Sequence, residues 1–88
     1  MKRYSFINDP GHGWLRVPYQ DLVKSGVESK ITKYSYRSRE FAYLEEDCDA
    51  GTFLQAIKAQ GIAHKILDKK VGDFGVYMRD HKINSRFP

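Results

Sequence analysis

Two short runs within the first eighteen residues alternate apolar and polar side chains with the period of two that is typical of β-strands. Residues 3–8 (RYSFIN) and 14–18 (WLRVP) are two such runs, and the segment between them is rich in turn-forming residues. We therefore predict a β-hairpin. Leu15 and Val17 lie on one face of the second strand, and Trp14 and Arg16 lie on the other. We expect Trp14 and Arg16 to be exposed.

Two later segments repeat apolar residues with helical spacing. The first follows Pro18, a residue tolerated at a helix start, and Gly26 is a suitable end. The second begins near Asp47 or Asp49, either of which can cap a helix, and Gly61 is a suitable end. Its apolar positions are Ala50, Phe53, Leu54 and Ile57. The sequence thus predicts two helices, each with one buried face.

A second hairpin is predicted between the helices, because residues 31–36 and 41–44 alternate and a short polar segment joins them. Residues 63–70 are a candidate for an extra strand, and residues 71–78 give only a faint strand pattern. We predict an α+β fold in which a small antiparallel sheet of two hairpins carries both helices on one face.

The length of 88 residues suffices for one domain, which we assign to residues 1–78, followed by a flexible basic tail at 79–88 that lacks periodicity. No apolar run approaches the ~18 residues of a membrane span, and the basic N-terminus is not followed by the apolar stretch of a signal peptide. The single cysteine, Cys48, excludes an internal disulfide. We therefore expect a cytoplasmic protein without a membrane partner.

The net charge of +4 is unevenly distributed along the chain. Residues 1–39 carry eight Lys or Arg and three acids, whereas residues 40–51 carry five acids and no base. Residues 52–88 are basic again, with seven Lys or Arg and three acids. This distribution favours polyanions such as nucleic acid over most of the surface. The alternative is that the charges pair internally and serve solubility.

Residues 9–13 (DPGHG) combine a carboxylate, an imidazole and two glycines, as either an active-site loop or a turn would. In a turn, Asp9 accepts backbone hydrogen bonds, while Gly11 and Gly13 supply positive φ. His12 is then expected at a solvated tip. A phosphate-binding loop is excluded, because no Gly-Lys-Ser/Thr is present and a strand follows. We favour the plain turn.

A metal site is the alternative role for this loop, if Asp9 and His12 meet the acidic segment 45–49 (EEDCD) and its thiol. The chain has no CxxC or HExxH spacing, and the calcium-loop pattern lacks its third acid. The simpler interpretation is that acids in a first helical turn complement the helix dipole. We expect Cys48 to be a buried structural thiol, because the flanking carboxylates disfavour a reactive thiolate.

Residues 33–39 (KYSYRSR) interleave aromatic and basic side chains. Tyr34 and Tyr36 lie on one face of the predicted strand, where exposed rings would stack bases while neighbouring cations hold phosphates. The alternative, which we favour, is that both tyrosines face the core beside Phe41 and Tyr43, because a small sheet needs one covered face.

The segments INDPGHGWLRVP and YSYRSREFAYLEEDCDAGTFLQA resemble a family of small proteins carried by bacteriophages, prophages and plasmids of bacteria. The resemblance spans residues 4–57 and rests on the DPGHGWL and YLEEDCDA motifs, while the C-terminal segment matches only loosely. It implies an intracellular accessory protein of a mobile genetic element. It assigns no catalytic residue to any position of this chain.

We therefore expect a non-catalytic binding protein, without a cofactor, that acts on nucleic acid or on a host nucleoprotein complex. The predicted binding residues are Trp14, Arg16, Lys33, Arg37, Arg39, Arg79, Lys82 and Arg86. Two alternatives stay open. One is a protein–protein inhibitor of a host defence system, and the other is a small metal-binding protein or enzyme that uses Asp9, His12 and the acids of residues 45–49.

Overall fold

A six-stranded sheet and three helices make up the protein, for which a computed structural model describes residues 1–88. The strands are β1 (Lys2–Asn8), β2 (Gly13–Pro18), β3 (Tyr36–Arg37), β4 (Phe41–Glu45), β5 (His64–Lys70) and β6 (Ser85–Arg86). The helices are α1 (Tyr19–Ser25), α2 (Asp49–Ala59) and α3 (Phe74–Asp80), with a 3-10 turn at Glu28–Lys30. The strands lie in the order β5-β1-β2-β4-β3-β6.

The α+β class, both hairpins and both predicted helices are confirmed. β1 pairs antiparallel with β2 at the positions that the alternation indicated. β3 also pairs antiparallel with β4, but it contains only Tyr36–Arg37, where the sequence predicted a strand over residues 31–36. Gly26 and Gly61 follow α1 and α2 with φ of 84° and 72°, because a left-handed residue ends a helix and glycine adopts that conformation without a Cβ clash.

Two predictions about the sheet and its helices are wrong. The sheet is mixed, because the extra strand β5 pairs parallel with β1, from Lys2 with His64 onward. Residues 71–78 form no strand, and a third helix, α3, begins at Phe74. The Asp73 carboxylate accepts a hydrogen bond of 2.7 Å from the Gly75 amide at the start of α3.

The helices cover both faces of the sheet, not one. On the first face, α1 and α2 bury the larger core against β1, β2 and β4, and Phe53 and Leu15 are fully buried within it. On the second face, α3 packs Phe74 and Tyr77 on a smaller core. The strand residues of this second core are Ile7, Trp14 and Tyr43.

The segment 79–88 is packed into the fold, contrary to the flexible tail that the sequence predicts. Ile83 and Phe87 are buried, one in each core, and β6 pairs antiparallel with β3. The Phe87 amide donates a hydrogen bond of 3.1 Å to the Ser35 carbonyl. Two isolated apolar residues create no periodicity, so the pattern of the sequence could not reveal this packing.

The carboxylate of Asp49, which is fully buried, organises the segment before β3. It accepts hydrogen bonds from the Thr32 amide (3.1 Å), the Thr32 hydroxyl (2.7 Å) and the Ser35 hydroxyl (2.5 Å). The Ser35 hydroxyl in turn accepts a bond of 2.9 Å from the Glu45 amide. Asp49 is thus the first residue of α2 but does not cap the helix with its side chain.

This anchoring changes the expected position of the two tyrosines. Residues 31–35 do not belong to a strand, and β3 begins only at Tyr36. Tyr34 is therefore 61% exposed instead of facing the core, whereas Tyr36 is half-buried beside the second core.

Gly11 and Gly13 provide a matched pair that tests the first hairpin. Neither has positive φ, contrary to the sequence prediction. A Cβ at Gly13 would lie 2.3 Å from the Phe6 ring, whereas a Cβ at Gly11 meets only the Asp9 carboxylate at 3.9 Å. We expect Gly13→Ala to lower the free energy of unfolding by about 1–3 kcal/mol through overpacking. Gly11→Ala is expected to be neutral or stabilising by up to about 1 kcal/mol.

Urea denaturation of both variants measures this difference directly. Equal stability of the two variants would show that the approach of Phe6 does not require glycine at position 13.

Candidate functional site

A basic cleft of about 490 Å³ opens on the second face of the sheet, at the end where β4 begins. Its charged lining residues are Arg16, Arg37, Arg39, Glu40 and Lys82, and His81 and Phe41 also line it. We call this cavity the basic cleft. Four cationic residues and one carboxylate therefore line one opening. The Arg37 guanidinium itself lies over the Tyr19 ring, on the first face of the sheet, because Arg37 pairs with Ala42 of the first core.

The cations of the basic cleft have no carboxylate partner. The two ion pairs of the structure are Lys2 with Asp21 and Arg79 with Asp80, and both lie outside the cleft. The Arg16 guanidinium instead lies 4.8 Å from the centre of the Phe41 ring, and the Arg37 guanidinium 3.7 Å from that of Tyr19. These aromatic contacts orient planar cations without neutralising them.

Lys82 has a backbone conformation that is uncommon for lysine, with φ of 56°. It occupies the left-handed position that ends α3. The Lys82 amide donates to the Arg79 carbonyl (3.4 Å) and the Ile83 amide to the Met78 carbonyl (2.9 Å). Gly61 occupies the same position after α2. A side chain here costs roughly 1–2 kcal/mol relative to glycine, so the structure holds a lysine at the cleft at the expense of stability.

Four of the eight predicted binding residues lie together in the basic cleft: Arg16, Arg37, Arg39 and Lys82. The other cations lie elsewhere, with Lys33 beside the Tyr34 ring, Arg86 over the Tyr36 ring and Arg79 on the exposed side of α3. His81 lines the cleft but was not predicted, because a single histidine in an aperiodic segment gives no signal. Its Nδ1 lies 2.9 Å from the Tyr77 carbonyl, to which it donates a hydrogen bond.

Trp14 is buried, with 8% of its surface exposed, which corrects the prediction of an exposed residue. The unpredicted helix α3 covers this face of β2. The Phe74 ring stacks on the indole with a centroid separation of 3.6 Å and an angle of 10° between the rings. The indole Nε1 is buried without a hydrogen-bond partner, as is the Tyr77 hydroxyl.

A second cavity of about 730 Å³ lies at the other end of this face, where β2 begins and β4 ends. It brings together the loop at residues 9–12 and the turn at residues 45–48. Its aromatic lining residues are Trp14, Tyr34, Tyr36 and Phe74, and its polar lining residues are Asp9, His12, Glu45, Asp47, Cys48 and Arg86. We call this cavity the aromatic pocket.

The Asp9 carboxylate holds the loop of the aromatic pocket in place. Its Oδ1 accepts hydrogen bonds from the Gly11 amide (2.9 Å) and the His12 amide (2.8 Å), which confirms the predicted turn. Its Oδ2 accepts a bond of 3.2 Å from the Phe74 amide, a link to α3 that the sequence did not reveal. The bonds from Gly11 and His12 lower the pKa of Asp9 below its usual value. His12 is exposed, as predicted.

The Glu45 carboxylate closes the opposite turn by accepting hydrogen bonds from the Asp47 amide (2.8 Å) and the Cys48 amide (3.2 Å). Cys48 is exposed, so the prediction of a buried structural thiol is wrong. The buried positions after this turn belong to Asp49 and Ala50, the first residues of α2.

The two loops of the metal hypothesis meet at one pocket, but they do not form a metal centre. No group of three or more His, Cys, Asp and Glu side chains is arranged to hold a metal ion. The carboxylates of Asp9, Glu45 and Asp49 are each bonded to backbone amides. The metal hypothesis therefore receives no support from this geometry.

A buried tyrosine separates the two cavities. Tyr43 lies on β4 between Phe41 of the basic cleft and Glu45 of the aromatic pocket, and it packs against Tyr77 with ring centroids 6.0 Å apart. Burial raises the pKa of Tyr43, so its hydroxyl stays neutral at physiological pH. On the second face, the uncharged side chain of Tyr43 thus separates the basic cleft from the aromatic pocket.

Comparisons with protein-family models, with curated proteins and with solved structures found no match. None of the three helices has the length and apolar content needed to cross a membrane. The fold and the two cavities define an α+β domain with a mixed sheet whose second face carries both candidate sites.

The role of Asp9 predicts a specific dependence of stability on pH. Because its pKa is lowered in the folded state, its ionised form stabilises the fold above the usual aspartate pKa of about 3.9. This contribution is lost as the pH falls through the lower folded-state pKa. We expect Asp9→Asn to have a lower melting temperature than the wild type at pH 6, and the difference to shrink as the pH falls below the usual aspartate pKa.

Thermal melts from pH 2 to pH 6 measure this effect. Asp47→Asn is the matched control, since the exposed Asp47 carboxylate accepts no hydrogen bond in the structure. An unchanged difference between wild type and Asp9→Asn across this range would contradict the assignment.

Proposed function

We propose that this protein is a non-catalytic binding protein that holds nucleic acid, alone or within a host nucleoprotein complex, through the phosphates of its backbone. The observation that carries the proposal is that Arg16, Arg39 and Lys82 line one cleft without an ion-pair partner. The resemblance to proteins of mobile elements extends the proposal to an accessory protein in the bacterial cytoplasm.

Phosphate is the ligand that best fits the basic cleft. A cation without a carboxylate partner is free to neutralise a phosphate. Each phosphate that is neutralised releases counterions from the nucleic acid. Arg16 is already oriented on the Phe41 ring, so less side-chain freedom is lost on binding. A guanidinium also donates two parallel hydrogen bonds to phosphate oxygens.

Lys82 supports a binding role for the basic cleft. Glycine would fit the left-handed position without strain, as Gly61 does after α2. A lysine does not relieve the strain of this backbone conformation, but it adds a cation to the cleft. A residue that lowers stability at the mouth of a cavity is typical of functional sites.

The substitution Lys82→Gly separates binding from stability. We expect it to raise the melting temperature and at the same time to weaken binding to nucleic acid. For labelled single- and double-stranded DNA and RNA, the logarithm of affinity is expected to fall linearly with the logarithm of salt concentration. Lys82→Gly and Arg39→Ala are each expected to reduce this slope by about one unit.

Fluorescence anisotropy between low and moderate salt measures both quantities. Lys58→Ala is the control, because Lys58 is an exposed cation on α2, on the opposite face of the sheet. Absence of binding at low salt would refute the proposed function. If neither cleft variant changed the slope of log affinity against log salt concentration, the nucleic acid would bind elsewhere on the protein.

A protein–protein module is the second candidate, and the open edge of β5 favours it. β5 pairs only with β1, and its side chains beyond His64 are exposed on both faces, including Ile66 (40%) and Leu67 (43%). Antiparallel pairing of two copies about Leu67 would oppose Lys65 with Lys69, which disfavours self-association. An extended acidic segment of a partner, with an apolar residue opposite Leu67, complements this edge.

This second candidate is tested with a peptide of alternating glutamate and leucine. We expect the peptide to shift the amide resonances of β5, and the double variant Lys65→Glu/Lys69→Glu to abolish binding. The same variant is expected to leave the salt dependence at the basic cleft unchanged. Peptide binding that persists in the double variant would contradict pairing at this edge.

A further inference from the structure

The two motifs that the basic cleft does not use meet in the aromatic pocket. The loop at residues 9–12 lies on one side of the pocket and the turn at residues 45–48 on the other. We propose that this pocket receives one unstacked nucleobase of a single strand whose phosphates lie on Arg86 and in the basic cleft. This inference rests on the proposed function and names the ligand group that the second cavity recognises.

An exposed aromatic ring at the mouth of the pocket provides the stacking surface. Tyr34 is 61% exposed, and the Lys33 ammonium lies 6.0 Å from its ring centre. By contrast, the Trp14 and Phe74 rings stack on each other and form the floor. A base that stacks on Tyr34 would cover apolar surface that the fold leaves in water.

Arg86 supplies a second planar group that is fixed in orientation. Its guanidinium lies 4.7 Å from the centre of the Tyr36 ring, with hydrogen bonds to the Tyr36 hydroxyl (2.7 Å) and the Lys33 carbonyl (3.4 Å). Arg86 remains exposed, so it can bind a phosphate or stack on a base at the entrance.

The carboxylates of the pocket select a base rather than a phosphate. Asp9 and Glu45 are held by backbone amides, and Asp47 is exposed beside them. These groups repel phosphate but accept hydrogen bonds from the exocyclic amino groups on the edge of a base. The pocket therefore favours adenine, cytosine or guanine, which carry exocyclic amino groups, over thymine or uracil.

The pocket and the basic cleft are close enough for one strand to occupy both. Trp14 and Arg16 are two residues apart on one face of β2, which is about 7 Å along the strand. On β6, Ser85 lines the cleft and the next residue, Arg86, lines the pocket. A strand can therefore pass from one cavity to the other over the β6 edge, where Arg86 lies between them.

The test compares a short single-stranded DNA with the same backbone made of abasic residues. We expect the base-bearing strand to bind roughly 5- to 150-fold more tightly, which is the contribution of one stacked base. Both strands should show the same salt slope. Tyr34→Ala is expected to remove the preference for the base-bearing strand, and Tyr34→Phe to retain it. Val23→Ala is the matched control, because Val23 is an exposed apolar residue on the opposite face.

Free nucleosides test the pocket without any phosphate. Trp14 is the single tryptophan, so its indole N–H resonance in an NMR spectrum reports on the floor of the pocket. We expect millimolar adenosine or cytidine to shift this resonance in the wild type, and thymidine to shift it less. Tyr34→Ala is expected to abolish the shift.

The possible outcomes distinguish this inference from the proposed function. Equal affinity for base-bearing and abasic strands, with the salt slope intact, would overturn the base pocket and leave the proposed function standing. No binding of either strand, with a nucleoside-dependent shift of the Trp14 resonance, would overturn the proposed function and keep the base pocket. A shift caused by tetramethylammonium but not by nucleosides would show that the pocket binds cations instead.

Discussion

The arrangement of β4, β3 and β6 depends on the hydrogen bonds that the buried Asp49 carboxylate accepts. This carboxylate fixes Thr32 and Ser35, residues without a helix or strand of their own, against the start of α2. Ser35 then binds the Glu45 amide through its hydroxyl and the Phe87 amide through its carbonyl. A buried carboxylate is tolerated only when hydrogen bonds replace its hydration. One side chain thereby joins α2, β4 and the C-terminal segment, and it places Tyr34 at the surface.

The two faces of the sheet differ because the helices that cover them differ in number and length. On the first face, α1 and α2 together cover the sheet and leave a closed core. On the second face, the seven residues of α3 cover only its middle, over Ile7, Trp14 and Tyr43. The uncovered ends of this face become the basic cleft and the aromatic pocket. Both candidate sites therefore exist because α3 is too short to cover the whole second face of the sheet.

The elements that the sequence predicts correctly are those that local rules determine. Alternation and turn residues predict the first hairpin, while helical spacing and the glycines at 26 and 61 predict α1 and α2. The failures involve long-range contacts: Asp9 binds the start of α3, and Ser35 binds Phe87. Charge alone indicated Arg16, Arg37, Arg39 and Lys82, but not that α3 would bury Trp14 in the floor of the aromatic pocket. The aromatic pocket could not be predicted, because its two loops meet only after both hairpins and α3 are in place.

The parallel pairing of β1 with β5 has a consequence for the order of folding. Every contact of this ladder, from Lys2 with His64 to Asn8 with Lys70, links residues separated by most of the chain. Closing so large a loop is entropically costly, and contacts of this kind slow folding relative to local hairpins. During synthesis, the hairpin of β1 and β2 can therefore form early, while the outer edge of β1 stays open until residues 64–70 have left the ribosome. For that interval the nascent chain exposes an unpaired strand edge that is prone to association with other chains.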